Sequence, residues 1–408
     1  MNDVTDLNDL AIILAAAFVG GALLRTLRQP VLVGYILVGA LFGPTGLGLV
    51  TNIEDIRWLA DLGILLLMFY IGLEIDVQRF RDVARQAFTT TGLQIAVAII
   101  STLAIAAITH WPLKVTILFG CGLALSSSAI ALKILDEMGV KHAPAGQASM
   151  GILIAQDLSI VPMMLVLEAM KTGGDFDFMG VVRLAIGIGI LFIVLWLSLR
   201  QPAWFMEWGR KIVRLKSKAM HGQDTITALA ICFAGAALAG AFGLSAAYGA
   251  FLAGLAISRT KNREKMHKNA QPIFDVLMMM FFLSVGLLID IHFICAHWGT
   301  VLGLVAAVLV IKTLVNYILL RMQRMPKPDA RLVAAVTGQI GEFSFLLAAM
   351  GLADGSLDGD MHNYAVAVIS LTLVGTPVWL ALLRQFRAIP PLTRSPGAAL
   401  ENAARGVA

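Results

Sequence analysis

The stretch Gly151-Ile152-Leu153-Ile154-Ala155-Gln156-Asp157-Leu158-Ser159-Ile160-Val161 lies within residues 143–167, where Asp157 is the sole ionisable residue. A run of this length and apolarity spans a bilayer. An acid at bilayer depth costs about 2.5 to 3.5 kcal/mol on insertion scales, and such acids mark ion or proton pathways. The expectation from this stretch is a transport protein.

The rest of the chain agrees with that class. Hydrophobic residues make up 58% of the 408 residues and charged residues 14%, against roughly 25% charged in soluble proteins. Mean hydropathy is +0.82. The first ten residues carry Asp3, Asp6 and Asp9 but no Lys or Arg, so they lack a signal peptide's basic region and the first apolar segment is expected to be retained. Cys121, Cys232 and Cys295 show no metal or redox spacing and read as small core residues. His110, His142 and His267 show no ligand spacing. With no nucleophile, base and orienting set or phosphate loop, an enzyme is not expected, and no cofactor is expected beyond the transported K+ or Na+ and H+.

Cutting at charged and Gly/Pro-rich punctuation gives about thirteen helical segments, near 8–24, 31–49, 58–73, 87–109, 115–135, 148–170, 181–199, 225–241, 244–258, 273–289, 299–320, 332–352 and 364–383. Basic residues gather in alternate connections. One set holds Arg25 and Arg28, Arg79 to Arg85, Arg210 to Lys218, Arg259 to Lys268, and Arg321 to Lys327; the other has little beyond Arg57, Lys114, Lys171 and Arg183 and includes the acidic Asp354, Asp358 and Asp360. This asymmetry places the amino terminus outside and the carboxyl terminus in the cytoplasm. The pI of about 9.2 then reflects orientation and contact with anionic lipid. Nucleic acid is not an expected partner, because the basic runs are short and lack interleaved aromatics.

An internal repeat constrains the architecture further. Gly72-Leu73-Glu74-Ile75-Asp76 ends the third segment and Gly286-Leu287-Leu288-Ile289-Asp290 ends the tenth, 214 residues on. Gly39-Ala40-Leu41 matches Ala253-Gly254-Leu255 at the same offset to within a residue. An odd number of spans separates the copies, so they cross in opposite senses, as in inverted-repeat transporters. Such folds place the site at two broken helices near the midplane. Ser126, Ser127 and Ser128 interrupt the fifth segment, and the offset carries them onto Gly341 and Glu342 in the twelfth, beside Gly338. Serines compete for backbone hydrogen bonds and each glycine weakens a helix by about 1 kcal/mol, although small residues also serve close packing. Lys312, midway along the eleventh segment, needs a partner. Asp157, Glu342 and carbonyls at the breaks are all open candidates. Glu74, Asp76, Asp290 and Glu168 fall at segment ends, where capping or interfacial roles suffice.

These residues carry a resemblance to the monovalent cation:proton antiporter-2 family, Kef-type potassium/proton systems above all. The matching stretches are Gly34-Tyr35-Ile36-Leu37-Val38-Gly39 through Gly43-Pro44, Phe69 to Asp76, Ala124 to Ala131, Gln156-Asp157, Ala250 to Gly254, Phe281 to Asp290 and Gly338 to Phe343. The resemblance implies an all-α polytopic membrane protein of the sodium/proton antiporter-like fold. Its domain is expected over 1–385, with repeat 1 near 8–170, a linker helix near 181–199 and repeat 2 near 225–383. It also implies a homodimer in the cell inner membrane, with a scaffold around the first and eighth to tenth segments and a mobile core containing the fifth, sixth, twelfth and thirteenth.

In such a protein Asp157 takes cation and proton in turn, with Gln156, Ser126, Ser127 and Ser128 as neighbouring ligands and Lys312, Glu342 and Gly341 supporting the breaks. Desolvation disfavours a buried carboxylate and a bound cation favours it, so proton and metal compete. Gln156 stands where electrogenic relatives carry a second acid, which favours potassium and electroneutral exchange. Residues 386–408 are expected to be a cytoplasmic tail without the regulatory nucleotide-binding domain of the Kef group, and the basic loop Arg263 to Lys268 argues against glutathione gating. A separate regulatory subunit is possible on this reading. Sodium/proton exchange and a ligand-gated potassium channel are the alternatives.

Overall fold

A computed structural model describes residues 3–26, 31–49, 54–74, 77–141, 143–170, 178–200, 224–242, 244–258 and 263–385. Asp76, the basic connections at 201–223 and 259–262, and the tail 386–408 lie outside the described residues, as do the side chains of Glu74, Arg79 and Arg81. The described chain is helical, without a β-strand. In order the helices are α1 (Asp3–Thr26), α2 (Val31–Phe42), α3 (Glu54–Glu74), α4 (Val77–Thr109), α5 (Leu113–Ala124), α6 (Ser128–Glu137), α7 (Pro144–Ala169) and α8 (Phe178–Arg200). They continue as α9 (Asp224–Ala241), α10 (Ala246–Ile257), α11 (Arg263–Leu287), α12 (Ile291–Ala296), α13 (Trp298–Met322), α14 (Lys327–Val336), α15 (Phe343–Ala353) and α16 (Gly359–Gln385).

All thirteen anticipated segments are present, and the fifth and twelfth are each split into half-helices: α5 with α6, and α14 with α15. Leu125 and Ser127 turn extended at the first break, with ψ of 145° and 116°. Several boundaries differ from the sequence reading: α4 and α11 each begin about ten residues earlier than expected, at Val77 and Arg263. The second segment, expected to reach residue 49, ends at Phe42, because Gly43-Pro44 interrupts the helical ladder and Gly48 adopts a φ of +65°. The short α12 was not anticipated, and in it Cys295 is exposed rather than a core residue; Cys121 and Cys232 are buried.

Packing sorts the helices into two bundles. α1, α2, α3, α9, α10 and α11 pack together, α4 to α7 pack with α13 to α16, and α8 touches both α7 and α10. Among the described residues, four helices are long and apolar enough to cross a membrane whole, at 85–109, 144–169, 298–322 and 359–385, and all belong to the second bundle. The seam between the bundles is apolar. Phe251 and Leu67 pool with Leu118 and Leu346 in one cluster, and Ile36 and Phe282 with Phe345 and Ile369 in another.

The first bundle shows why the repeat carries glycines. A Cβ on Gly39 would run into the backbone of α11 at Leu283 and Gly286, and one on Gly286 into Ile36 and Gly39. Gly72 and Gly254 press α3 onto α10 in the same way, through Phe251 and Phe69. Gly72 and Gly286 are repeat equivalents, as Gly39 and Gly254 are within a residue. Each copy thus meets the other through the same contact, and the inverted repeat's approximate two-fold axis runs between the pairs.

Candidate ion and proton site

The two breaks cross in contact. Gly341 donates its N–H to the Leu125 carbonyl at 3.1 Å, Ser126 Oγ donates to the Thr337 carbonyl at 2.9 Å, and Ser344 Oγ donates to the Gly122 carbonyl at 2.8 Å. Such proximity requires Gly341, because a Cβ there would lie 2.6 Å from the Ser126 carbonyl carbon. The second break is tied back to α16 through Ile340 N–H and Thr372 Oγ1 at 3.4 Å.

Half-helix dipoles organise the charges. The carbonyl-bearing ends of α5 and α14 converge on Lys312, whose ammonium donates to the Leu125 carbonyl and to the Gln339 carbonyl at 2.8 Å. A cation is favoured at helix carboxyl ends. Among the candidates left open by sequence, the structure therefore gives Lys312 the carbonyls of the breaks. Leu125 and Gln339 are repeat equivalents, so this one cation bridges the two copies.

The carboxylates take the opposite ends. Asp157, half-buried on α7, accepts a hydrogen bond from Ser128 Oγ at 2.7 Å, and Ser128 opens α6. Glu342, the repeat equivalent of Ser128, is buried at the N-cap of α15. Both acids stand where unpaired N–H groups and the positive dipole end favour anions. Pro162 further removes the intrahelical donor for the Leu158 carbonyl, one residue beyond Asp157.

All eight residues singled out from sequence meet at this crossing, with divided roles. Ser128 reaches Asp157. Ser127 caps α6 by accepting from Ile130 N–H at 3.4 Å. Ser126 joins the breaks. Gln156 is fully buried; its Oε1 accepts from Ser126 N–H at 3.0 Å and its Nε2 donates to Gln94 Oε1 at 2.9 Å. Gln94 and Asn316 were missed, and Thr337 and Gln339 were read only as part of the second break. Gln94 and Asn316 are polar residues in apolar segments, so the reasoning that found Asp157 could have found them, but amides lack the charge that draws attention.

Residues at the segment ends behave as expected or are more engaged. Asp290 caps α12 through Phe293 N–H at 2.9 Å. Glu168 hydrogen-bonds the side chain and backbone of Ser245, crossing the seam from α7 to the start of α10. It borders a cavity of about 540 Å³ with Lys114, Leu165, Leu244 and Asp354. Lys114 is buried there, donating to the Met170 carbonyl at 2.9 Å and pairing with Asp354 at 2.7 Å. Burial works against the Asp354 carboxylate, but Lys114 and the Ser356 hydrogen bonds outweigh it and hold its pKa below the usual range.

A six-helix scaffold, a facing core of two crossed half-helix pairs and a buried acid at the crossing define a polytopic secondary transporter. The chain belongs to the sodium/hydrogen exchanger transmembrane family, which it matches over residues 13–384. Its relatives include the "Iron transporter MagA" of Paramagnetospirillum magneticum, 40% identical over 94% of this chain and 87% of the relative. The "Putative cation/proton antiporter YbaL" of Escherichia coli is 31% identical over 92% of this chain and 68% of its own length. "K(+) efflux antiporter 5" of Arabidopsis thaliana is 29% identical over 93% and 67%. The sodium proton antiporter MjNhaP1 of Methanocaldococcus jannaschii superposes with a TM-score of 0.72 at 13% identity, covering 97% of this chain and all of that one. The antiporter-like fold with its broken crossing helices is thereby established.

Proposed function

We propose that this protein exchanges one monovalent cation for one proton, with both competing for Asp157 and with potassium favoured over sodium. The observation that carries this reading is the Asp157 carboxylate itself, half-buried at the N-terminus of α6, held by Ser128 at 2.7 Å and flanked by a neutral Gln156. Binding of either occupant neutralises a charge that would otherwise be costly to carry across an apolar seam. The core bundle then alternates its access by moving against the scaffold. The likeness to potassium efflux antiporters supports the choice of cation. The proposed setting is the cell inner membrane, as a homodimer joined through the scaffold, with the amino terminus outside; a separate regulatory subunit fits the Kef-type resemblance.

The test is proton flux in proteoliposomes, read with a pH-sensitive dye, against chloride salts of potassium, sodium, lithium and rubidium, and against ferrous iron because a relative carries that name. Dequenching by potassium and rubidium, reversed when the pH gradient is reversed at zero potassium gradient, is the expected result. A response to sodium alone would correct the selectivity. A response to ferrous iron alone would overturn monovalent exchange, and potassium flux indifferent to the pH gradient would indicate a channel.

A further inference from the structure

Three buried amides connect the breaks through α4, α7 and α13. Gln94 is 5% exposed, Gln156 0% and Asn316 1%. Ser126 N–H donates to Gln156 Oε1 at 3.0 Å, Gln156 Nε2 donates to Gln94 Oε1 at 2.9 Å, and Gln94 Nε2 donates to Asn316 Oδ1 at 2.9 Å. Asn316 Nδ2 then donates to the Thr337 carbonyl at 3.1 Å and to Thr337 Oγ1 at 3.0 Å. Thr337 Oγ1 spends its own proton on the Val333 carbonyl at 2.8 Å. Since Ser126 Oγ also bonds the Thr337 carbonyl, the chain closes into a ring through both breaks.

The ring has one permitted direction. A backbone N–H can only donate and a carbonyl can only accept, so the Ser126 and Thr337 ends fix every amide between them. Turning any one would set two acceptors or two donors face to face, at a buried site where an unmade hydrogen bond is expensive. We propose that Gln94 and Asn316 are positioning residues that impose on position 156 an acceptor toward Ser126 and a donor toward Gln94, and so admit only an uncharged side chain there. An amide meets that demand and so does a protonated carboxyl, but a carboxylate has no donor for Gln94. That positions 156 and 157 carry one carboxylate and not two is thus set by the ring and not by residue 156 alone. The inference deepens the proposed function, resting on Asp157 as the group that exchanges its proton. Three ionisable residues share the crossing: Asp157, next along α7, Lys312, one turn before Asn316 and engaged with Leu125 and Gln339, and Glu342, at the N-cap of α15.

The test separates the ring from the transport reading. In an Asp157→Asn background, Gln156→Glu is expected to show the infrared band of a protonated carboxyl at neutral pH, confirmed by its isotope shift. Adding Asn316→Leu frees Gln94 to turn and donate, and the band should give way to that of a carboxylate. A carboxyl that stays protonated with Asn316→Leu present would be neutral through desolvation alone and would overturn the proposal. Gln94→Glu supplies an independent position, since the ring requires it too to donate, toward Asn316, and a carboxylate band there at neutral pH would equally overturn it. In the otherwise unaltered protein, Gln94→Leu and Asn316→Leu should each raise the half-saturating potassium concentration about five- to tenfold, the equivalent of one buried hydrogen bond, with maximal flux retained. Unchanged half-saturation in both would also sink the proposal. Persistent exchange by Asp157→Asn alone would instead fault the transport reading and leave the infrared result standing.

Discussion

Leu125 and Gln339, 214 residues apart and equivalent in the inverted repeat, present their carbonyl oxygens to the same ammonium, that of Lys312. Each belongs to a different broken helix, and each carbonyl has lost the helical N–H that would have donated to it. The cation on α13 therefore closes both breaks at once and holds the repeats in register.

This placement predicts what Lys312→Met does. Methionine keeps most of the volume and removes the donor, leaving two buried carbonyls short of a partner at about 1–3 kcal/mol each. Gly341 N–H still reaches Leu125, so the loss falls toward the lower end. The melting temperature in detergent should drop on the order of 5 °C. An unchanged melt with altered proton coupling would assign Lys312 to the transport cycle instead of the scaffolding of the breaks.

Gly341→Ala tests the crossing itself. Its Cβ would meet the Ser126 carbonyl carbon at 2.6 Å, and that atom is backbone, so the half-helices have to separate. Transport should be lost, and the yield of monodisperse protein reduced. Gly375→Ala on α16 is the control, since nothing lies within 4 Å of its added methyl, and it should melt within about 1 kcal/mol of the parent. Equal behaviour of the two variants would contradict the contact between breaks.

Much of this was legible in the sequence, and the reasons are physical. Asp157, Lys312 and Glu342 stand out because a charge in an apolar run is expensive, and the repeat offset then placed Gly341 and Glu342 opposite Ser127 and Ser128. The partner of Lys312 was not legible, because backbone carbonyls exist at every position and only a break makes them available. Gln94 and Asn316 escaped because a buried amide can satisfy itself without a charge. Lys114 reads as a loop cation by its position at a segment start, yet it is buried against Met170 and Asp354; burial at a loop depends on which distant elements close over it. The early end of α2 was in plain view as Gly43-Pro44 and was overridden by the apolar residues beyond.

The Lys114–Asp354 pair predicts an acid-sensitive element at the end of the core bundle. Because the folded protein holds the Asp354 pKa below its ordinary value, of about 3.9, the pair stabilises the protein above that value and the contribution fades as pH falls through the lower, folded one. Asp354 is partly exposed, 37% at its side chain, so solvent screening keeps the effect modest. Asp354→Asn should melt slightly below the parent at neutral pH, and the gap should close as pH falls below about 3.9, as measured by intrinsic fluorescence. A gap that widens on acidification would reverse the sign and remove the pair from the account.

Ser128 and Asp157 provide the sharpest division between binding and architecture. Asp157→Asn keeps the shape of the side chain and can still bond the Ser128 hydroxyl, so the protein should fold and elute as the parent does. It cannot bind a cation by charge or release a proton, and cation-driven proton movement should vanish. Ser128→Ala leaves the carboxylate but removes a donor that favours its charged form. A hydrogen bond to a charged group contributes about 1.5 kcal/mol or more, so this variant should need roughly tenfold more potassium for half-maximal exchange, with its maximal rate largely kept. The two variants must differ in kind, one losing turnover and the other affinity. If Ser128→Ala abolished exchange as completely as Asp157→Asn at every pH and potassium concentration, the hydroxyl would belong to the moving parts of the crossing, and cation and proton would not be competing at Asp157 alone.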